Sequence, residues 1–203
     1  MGERLASQKS KLGMILKNDY VQTAILGLVV LVSVFAFFYG LQTALRTEYP
    51  LFAVASGSME PTLYRGDLIL VQGVLDFSQL NADYMNAPVP GETIVFRVPG
   101  QPDPIVHRAV AREYRNNHWY FDTKGDANLN IDYWSPVSQD YIIGKVVGKA
   151  PWLGNFSLFM REHPFEGVLL IAIAIAVSIF VDFSFPRKKK REITMEALKQ
   201  FQT

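Results

Sequence analysis

Thr93-Ile94-Val95-Phe96-Arg97-Val98-Pro99-Gly100, followed by Ile105-Val106-His107-Arg108-Ala109-Val110, sets the fold class of this chain. Both runs are short and rich in β-branched and aromatic residues, and a Pro-Gly turn signal separates them. Asp67–Val71, Trp119–Asp122 and Tyr141–Val147 have the same character. Arg65-Gly66, Pro90-Gly91 and Asn116-Asn117 bound them as turns. No long stretch between Arg46 and Glu166 shows the apolar spacing of a helix. The prediction is a mainly β domain, an antiparallel sheet or partly closed barrel. Phe77–Pro90 reads as a surface loop.

The flanks of this region differ from it. The chain has 203 residues, of which 49% are hydrophobic, and a mean hydropathy of +0.11. The apolar residues are concentrated in two places. Val21–Leu45 carries no charge and is longer than the roughly 20 residues that cross a bilayer core. A shorter run, Gly167–Val181, extends through Phe183 and Phe185 if Asp182 sits at the interface. Arg4, Lys9, Lys11 and Lys17 precede the first run, and Arg187-Lys188-Lys189-Lys190-Arg191 follows the second. Positive flanks stay in the cytoplasm, so both ends are expected there and the middle on the other side. The first run exceeds the 7–15 apolar residues of a cleaved leader and reads as an uncleaved anchor.

The expected organisation is a cytoplasmic segment 1–20, a transmembrane helix 21–45, an exported β domain 46–166, a transmembrane helix 167–185 and a basic cytoplasmic tail 186–203. The basic pentad suits a stop-transfer and anionic-lipid role. Trp152, Phe156, Phe159 and Phe165 form either an aromatic belt at headgroup level or a packed edge of the β domain. Asn155-Phe156-Ser157 matches a glycosylation sequon.

The net charge of +1 gives no electrostatic basis for a nucleic-acid partner. The absence of cysteine excludes disulfides, thiolate metal sites and a cysteine nucleophile.

Three polar segments can carry chemistry. Ser56-Gly57-Ser58-Met59-Glu60-Pro61-Thr62, with Gly66-Asp67 behind it, is a tight turn. Such a turn exposes the Ser58 hydroxyl beside its own amide, a natural oxyanion donor. His107, one of three histidines with His118 and His163, lies in a strand and can hold an imidazole rigidly as a base. Thr123-Lys124-Gly125-Asp126-Ala127-Asn128-Leu129-Asn130-Ile131-Asp132 offers two carboxylates, either of which could orient an imidazole. As a calcium loop its ligand ladder is incomplete and lacks a closing glutamate, so no metal is expected.

In this order, behind a membrane anchor, the three segments resemble the boxes of type I signal peptidases. The resemblance spans roughly residues 50–148. Histidine at position 107, where bacterial members usually carry lysine, points to the archaeal and endoplasmic-reticulum branch. The resemblance implies Ser58 as nucleophile, His107 as general base, Asp132 as orienting carboxylate and Asp126 as a supporting one. It also implies Ser56 and Ser58 as oxyanion donors. Spacing fits either aspartate, and the choice of Asp132 comes from the resemblance. Ile131 stands where members of this branch often carry a further aspartate.

The function so implied is a membrane-bound serine endopeptidase that cleaves signal peptides from exported preproteins. It would use no cofactor, would contact membrane lipid and would associate with the secretion machinery. Its catalytic domain would face the extracytoplasmic side, or the lumen in an endoplasmic reticulum. Two alternatives remain. One is a serine–lysine peptidase using Lys124 or Lys145. The other is a catalytically silent β domain that binds exported peptides.

Overall fold

The computed structural model describes residues 19–184. A long helix, α1 (Asp19–Leu45), leads into a seven-stranded sheet. The strands are β1 (Leu51–Ala53), β2 (Leu68–Gln72), β3 (Thr93–Phe96), β4 (Ile105–Arg115), β5 (His118–Lys124), β6 (Val137–Ser138) and β7 (Ile142–Ala150). Two helices follow, α2 (Gly154–Glu162) and α3 (Pro164–Ser184). The sheet order is β1-β2-β7-β3-β4-β5-β6, and every pairing is antiparallel. Register shifts at Leu70/Val71, Val95/Phe96 and Ala109/Ala111 bend the strands and curl the sheet into a half-barrel. The mainly β antiparallel expectation is therefore met, with β1 and β6 as added edge strands.

The opening stretch lies in the middle of the sheet for a physical reason. All four residues of β3 are buried, and alternation sends them to two cores. Val95 joins Val54, Met59, Leu63, Ile69 and Val71. Ile94 and Phe96 join Leu80, Ala109, Phe121 and Val137. A strand buried on both faces reads as a continuous apolar run, as this one does.

Turn chemistry matches the sequence. Asn116 and Asn117, at φ 51° and 64°, make the two-residue turn between β4 and β5, which requires left-handed backbone at both positions. Gly66 has φ +92°, and a Cβ there would come within 2.2 Å of Asn155 Oδ1. Gly66→Ala is expected to cost about 1–2 kcal/mol, because alanine is strained at this φ and must also displace Asn155. Thermal unfolding of the full chain in detergent checks this, and an unchanged midpoint would refute it.

Phe77–Pro90 is not merely a surface loop. A 3₁₀ turn at Phe77–Gln79 carries Leu80 into the second core, where it is 1% exposed. The polar residues that suggested a loop make the turn's cap. Asp76 accepts from the Ser78 backbone at 2.9 Å and from the Ser78 hydroxyl at 2.6 Å. Those two bonds, the hydroxyl's first, hold the Asp76 carboxyl below its usual pKa.

Among the described residues one helix is long and apolar enough to cross a membrane, through Val21–Leu45. The expected second span, 167–185, overlaps α3, whose described apolar part is Pro164–Ser178. That part falls short of the about 20 residues a span needs, so two membrane helices do not follow from the fold. Arg4, Lys9, Lys11, Lys17, Phe185 and the basic pentad Arg187–Arg191 lie outside the described residues, as do segment 186–203 and most of segment 1–20. Trp152, Phe156 and Phe165 are exposed by 79%, 72% and 86%, so these three do not form a packed edge of the β domain, whereas Phe159, 38% exposed, is partly covered and lies against the His163 ring.

Candidate active site

The segment that carries Ser58 is a loop closed on itself. The Val54 amide donates to the Asp67 carbonyl, and the Gly66 amide to the Val54 carbonyl, both at 2.9 Å. Inside it the Leu63 amide donates to the Met59 carbonyl, and both side chains are buried in the first core. Burial of Met59 anchors the turn immediately beside Ser58. The Ser58 carbonyl accepts from the Ala127 amide at 2.9 Å, which holds the carboxylate loop against the serine turn. That approach requires glycine at position 125, where a Cβ would stand 2.6 Å from the Ser58 carbonyl oxygen. The Ser58 amide has no backbone acceptor among the described residues.

His107 lies on β4 opposite Ile94 of β3. Its Nε2 is 3.0 Å from Ser58 Oγ, and its Nδ1 is 2.5 Å from Asp132 Oδ2. An ionised carboxylate only accepts, so Nδ1 carries the proton toward Asp132 and Nε2 is left to accept from the Ser58 hydroxyl. The His107 and Asp132 side chains are 6% and 4% exposed. Thr123 Oγ1 donates to the same Asp132 oxygen at 2.8 Å. The Trp134 indole N–H donates to Thr123 Oγ1 at 3.3 Å, and its ring lies against His107 with centroids 6.1 Å apart. The imidazole is thus held at both nitrogens and on one face. Ser56 Oγ lies 3.2 Å from Ser58 Oγ.

Asp126 sits elsewhere. Strand alternation turns Arg108 to the face opposite His107, and Arg108 donates to both Asp126 oxygens at 2.7 Å. Arg108 also donates to the Gly91 carbonyl and to Thr62 Oγ1, and Thr62 donates to Asp126. The Arg108 and Asp126 side chains are 8% and 2% exposed. The structure therefore brings Ser56, Ser58, His107 and Asp132 together and pairs Asp126 with a buried arginine. Arg108 and Thr123 stand in the sequence segments singled out above but are given no role there, and Trp134 is left out. Arg108 could have been found from its place next to His107 on a strand, which puts a charge on the opposite face.

Neither lysine of the serine–lysine alternative is hydrogen-bonded to Ser58. Lys145 pairs with Glu92 at 2.5 Å, and Lys124 donates to the Gly125 carbonyl at 3.2 Å. No group of histidine, cysteine and carboxylate side chains able to hold a metal occurs among the described residues.

A cleft of 380 Å³ opens beside Ser58 and His107. Its walls are the Phe52–Ala55 stretch and Pro104–Val106, with Ile69 and Val95 beneath. Ser56, Trp134, Asp103 and Arg161 also line it. The hydrogen bond from Arg161 to Asp103, and then the carboxylate's charge, raise the pKa of Arg161 above its ordinary value.

No family model matches the chain. Curated relatives do. A signal peptidase complex catalytic subunit SEC11 from Metarhizium robertsii is 34% identical over 151 residues, covering 71% of this chain and 83% of the relative. The subunit of the same name from Sclerotinia sclerotiorum is 33% identical over 150 residues, with the same coverage. That from Tuber melanosporum is 32% identical over 156 residues, covering 71% and 81%. Identity of this extent over most of both chains, on a mainly β antiparallel fold, places the chain: it belongs to the SEC11 branch of the type I signal peptidases, enzymes that act on peptide bonds.

Proposed function

We propose that this protein is a membrane-anchored serine endopeptidase that cleaves signal peptides from exported preproteins, with Ser58 as nucleophile, His107 as general base and Asp132 as the carboxylate that orients it. The observation that carries the reading is the unbroken line of contacts from Ser58 Oγ through His107 to Asp132, at 3.0 and 2.5 Å. Ser58 attacks the scissile carbonyl as Nε2 takes its proton. Asp132 stabilises the imidazolium that forms. The tetrahedral oxyanion is held by the Ser58 amide and the Ser56 hydroxyl. His107 returns the proton to the leaving amine, and water then releases the acyl-enzyme by the same route.

The apolar cleft suits an extended chain with small residues before the cut. The unpaired edge of β1 beside it suits strand addition by that chain. Asp126 is assigned a supporting role, through Arg108 and the loop that meets the Ser58 carbonyl.

The same reading has α1 as an anchor and 167–185 as a second span, with both termini cytoplasmic. Segments 1–20 and 186–203 would then be cytoplasmic and 46–166 extracytoplasmic or lumenal. The exposed Trp152, Phe156 and Phe165 fit a headgroup-level belt. Anchoring confines site and substrate to one surface and raises their effective concentration. The relatives are named as subunits of a complex, and partner subunits and the secretion machinery are proposed here on that basis.

The test is cleavage of a model preprotein by the purified full chain in detergent, with the product identified by mass and with a serine-directed phosphonate as label. The expected result is one cut after the signal segment and one phosphonate on the peptide containing Ser58. Labelling of another residue, or cleavage that survives Ser58→Ala, would overturn the mechanism.

A further inference from the structure

Among the described residues, the cleft is lined by apolar side chains, by Ser56 and Ser58, and by three titratable side chains: His107, Asp103 and Arg161. His107 belongs to the proposed machinery. The other two come from separate elements, Asp103 from the β3–β4 loop and Arg161 from the last turn of α2, and they form an ion pair. Their side chains are 53% and 61% exposed, which puts them at the rim of the cleft rather than on its floor.

An ion pair this exposed adds little to stability. Nor does it alone hold α2 in place. The Gly154 amide donates to the Gly66 carbonyl at 3.0 Å, Leu158 is buried, and Glu162 accepts from Arg65 at 2.6 Å. The pair can therefore be altered with the helix still docked.

Its consequence lies in the cleft. Two opposite charges in contact present almost no net field to a chain lying beside them, whereas either charge alone would. We propose that the Asp103–Arg161 pair is a specificity determinant of the substrate cleft: it keeps the rim neutral, so the substrate residue that passes it is uncharged. The proposal rests on the reading of this cleft as the peptide-binding site. A substrate carboxylate at the rim must compete with Asp103 for Arg161, and a substrate ammonium with Arg161 for Asp103. Neither competition is favourable while the pair is intact.

The test uses the full chain in detergent and a set of model preproteins in which each of about five residues on either side of the cut is, in turn, Gln, Glu or Lys. At one position the wild type is expected to prefer Gln over both charged residues. Asp103→Asn frees Arg161, and the Glu-to-Gln ratio of kcat/KM at that position rises about three- to tenfold while the Lys-to-Gln ratio falls. Arg161→Gln gives the opposite pattern. Both shifts shrink in high salt. The double exchange Asp103→Arg with Arg161→Asp restores the wild-type profile. The Gln substrate serves as the internal reference for every variant, so the readout is the ratio and not the absolute rate.

Ratios that do not move at any position, or a uniform loss for all three residues, overturn the proposal. Cleavage of the Gln substrate by wild type and not by Ser58→Ala reports on the underlying reading separately. Failure there overturns that reading together with this one, whereas unmoved ratios with intact Ser58-dependent cleavage overturn this one alone.

Discussion

Ser58→Ala and His107→Ala each lower kcat/KM for a model preprotein by about 10⁴- to 10⁶-fold, and the double variant is no slower than either single one. In the proposed mechanism the three side chains work as one device. With Oγ gone there is nothing for His107 to deprotonate. With the imidazole gone, a hydroxyl at its ordinary acidity is a poor nucleophile. The wild-type contact of 3.0 Å between Oγ and Nε2 is already within the reach that proton transfer needs. On the proposed mechanism the residual rate would measure what the Ser58 amide, the Ser56 hydroxyl and the cleft contribute without Ser58 Oγ or His107. Single-turnover cleavage in detergent, with circular dichroism to show that each variant is folded, provides the measurement. Losses of His107→Ala and Ser58→Ala that multiply in the double variant would mean that the two act independently, and the proposed acyl transfer would fail.

The second large effect separates the two aspartates. Asp126→Ala leaves Arg108 in place with its charge 8% exposed and its main partner gone. Breaking a buried pair in this way costs about 3–5 kcal/mol, which lowers the midpoint of thermal unfolding by about 10 °C or more. Asp132→Ala removes a partner from an imidazole that can stay neutral, so its stability cost is smaller. Its kinetic cost is larger, about 10⁴-fold in kcat, because the tautomer that accepts from Ser58 is no longer selected. Melting curves and kcat for the two variants should therefore rank in opposite orders. An Asp126→Ala protein that is as stable as wild type but inactive, beside an Asp132→Ala protein that is active, would reverse the division of roles.

Much of the fold is legible in the residues because the local signals agree with the global arrangement. Thr93–Phe96 is apolar throughout because it is covered on both faces, and Asn116-Asn117 tolerates the left-handed backbone that a two-residue hairpin demands. The segment read only in part is Phe77–Pro90. There the polar residues cap a turn, while Leu80 is fully buried and Phe77 and Ala82 pack half-buried against the same core. One fully buried residue among many polar ones leaves no period to detect. The second apolar helix shows a different limit. Composition marks Gly167–Val181 as apolar, but the described apolar part of α3 is shorter than a span, so length rather than polarity leaves it open.

Ser58 and His107 could be picked out from the sequence because a serine in a glycine turn and a histidine in a strand are local features, in an order that resembles one family. The sequence alone also determined the β class, the long apolar segment at the start and the absence of cysteine chemistry. Only the tertiary structure decided which carboxylate meets the imidazole. Asp126 and Asp132 lie in one loop at spacings that suit either role. They are separated by the pleat of β4, which turns His107 to one face and Arg108 to the other, and by the fold of the loop around Thr123 and Ser58. The sheet order, with β7 between β2 and β3, and the meeting of Asp103 with Arg161 at the cleft rim were decided in the same way. Each joins residues far apart in the chain, and such contacts leave no trace in local periodicity.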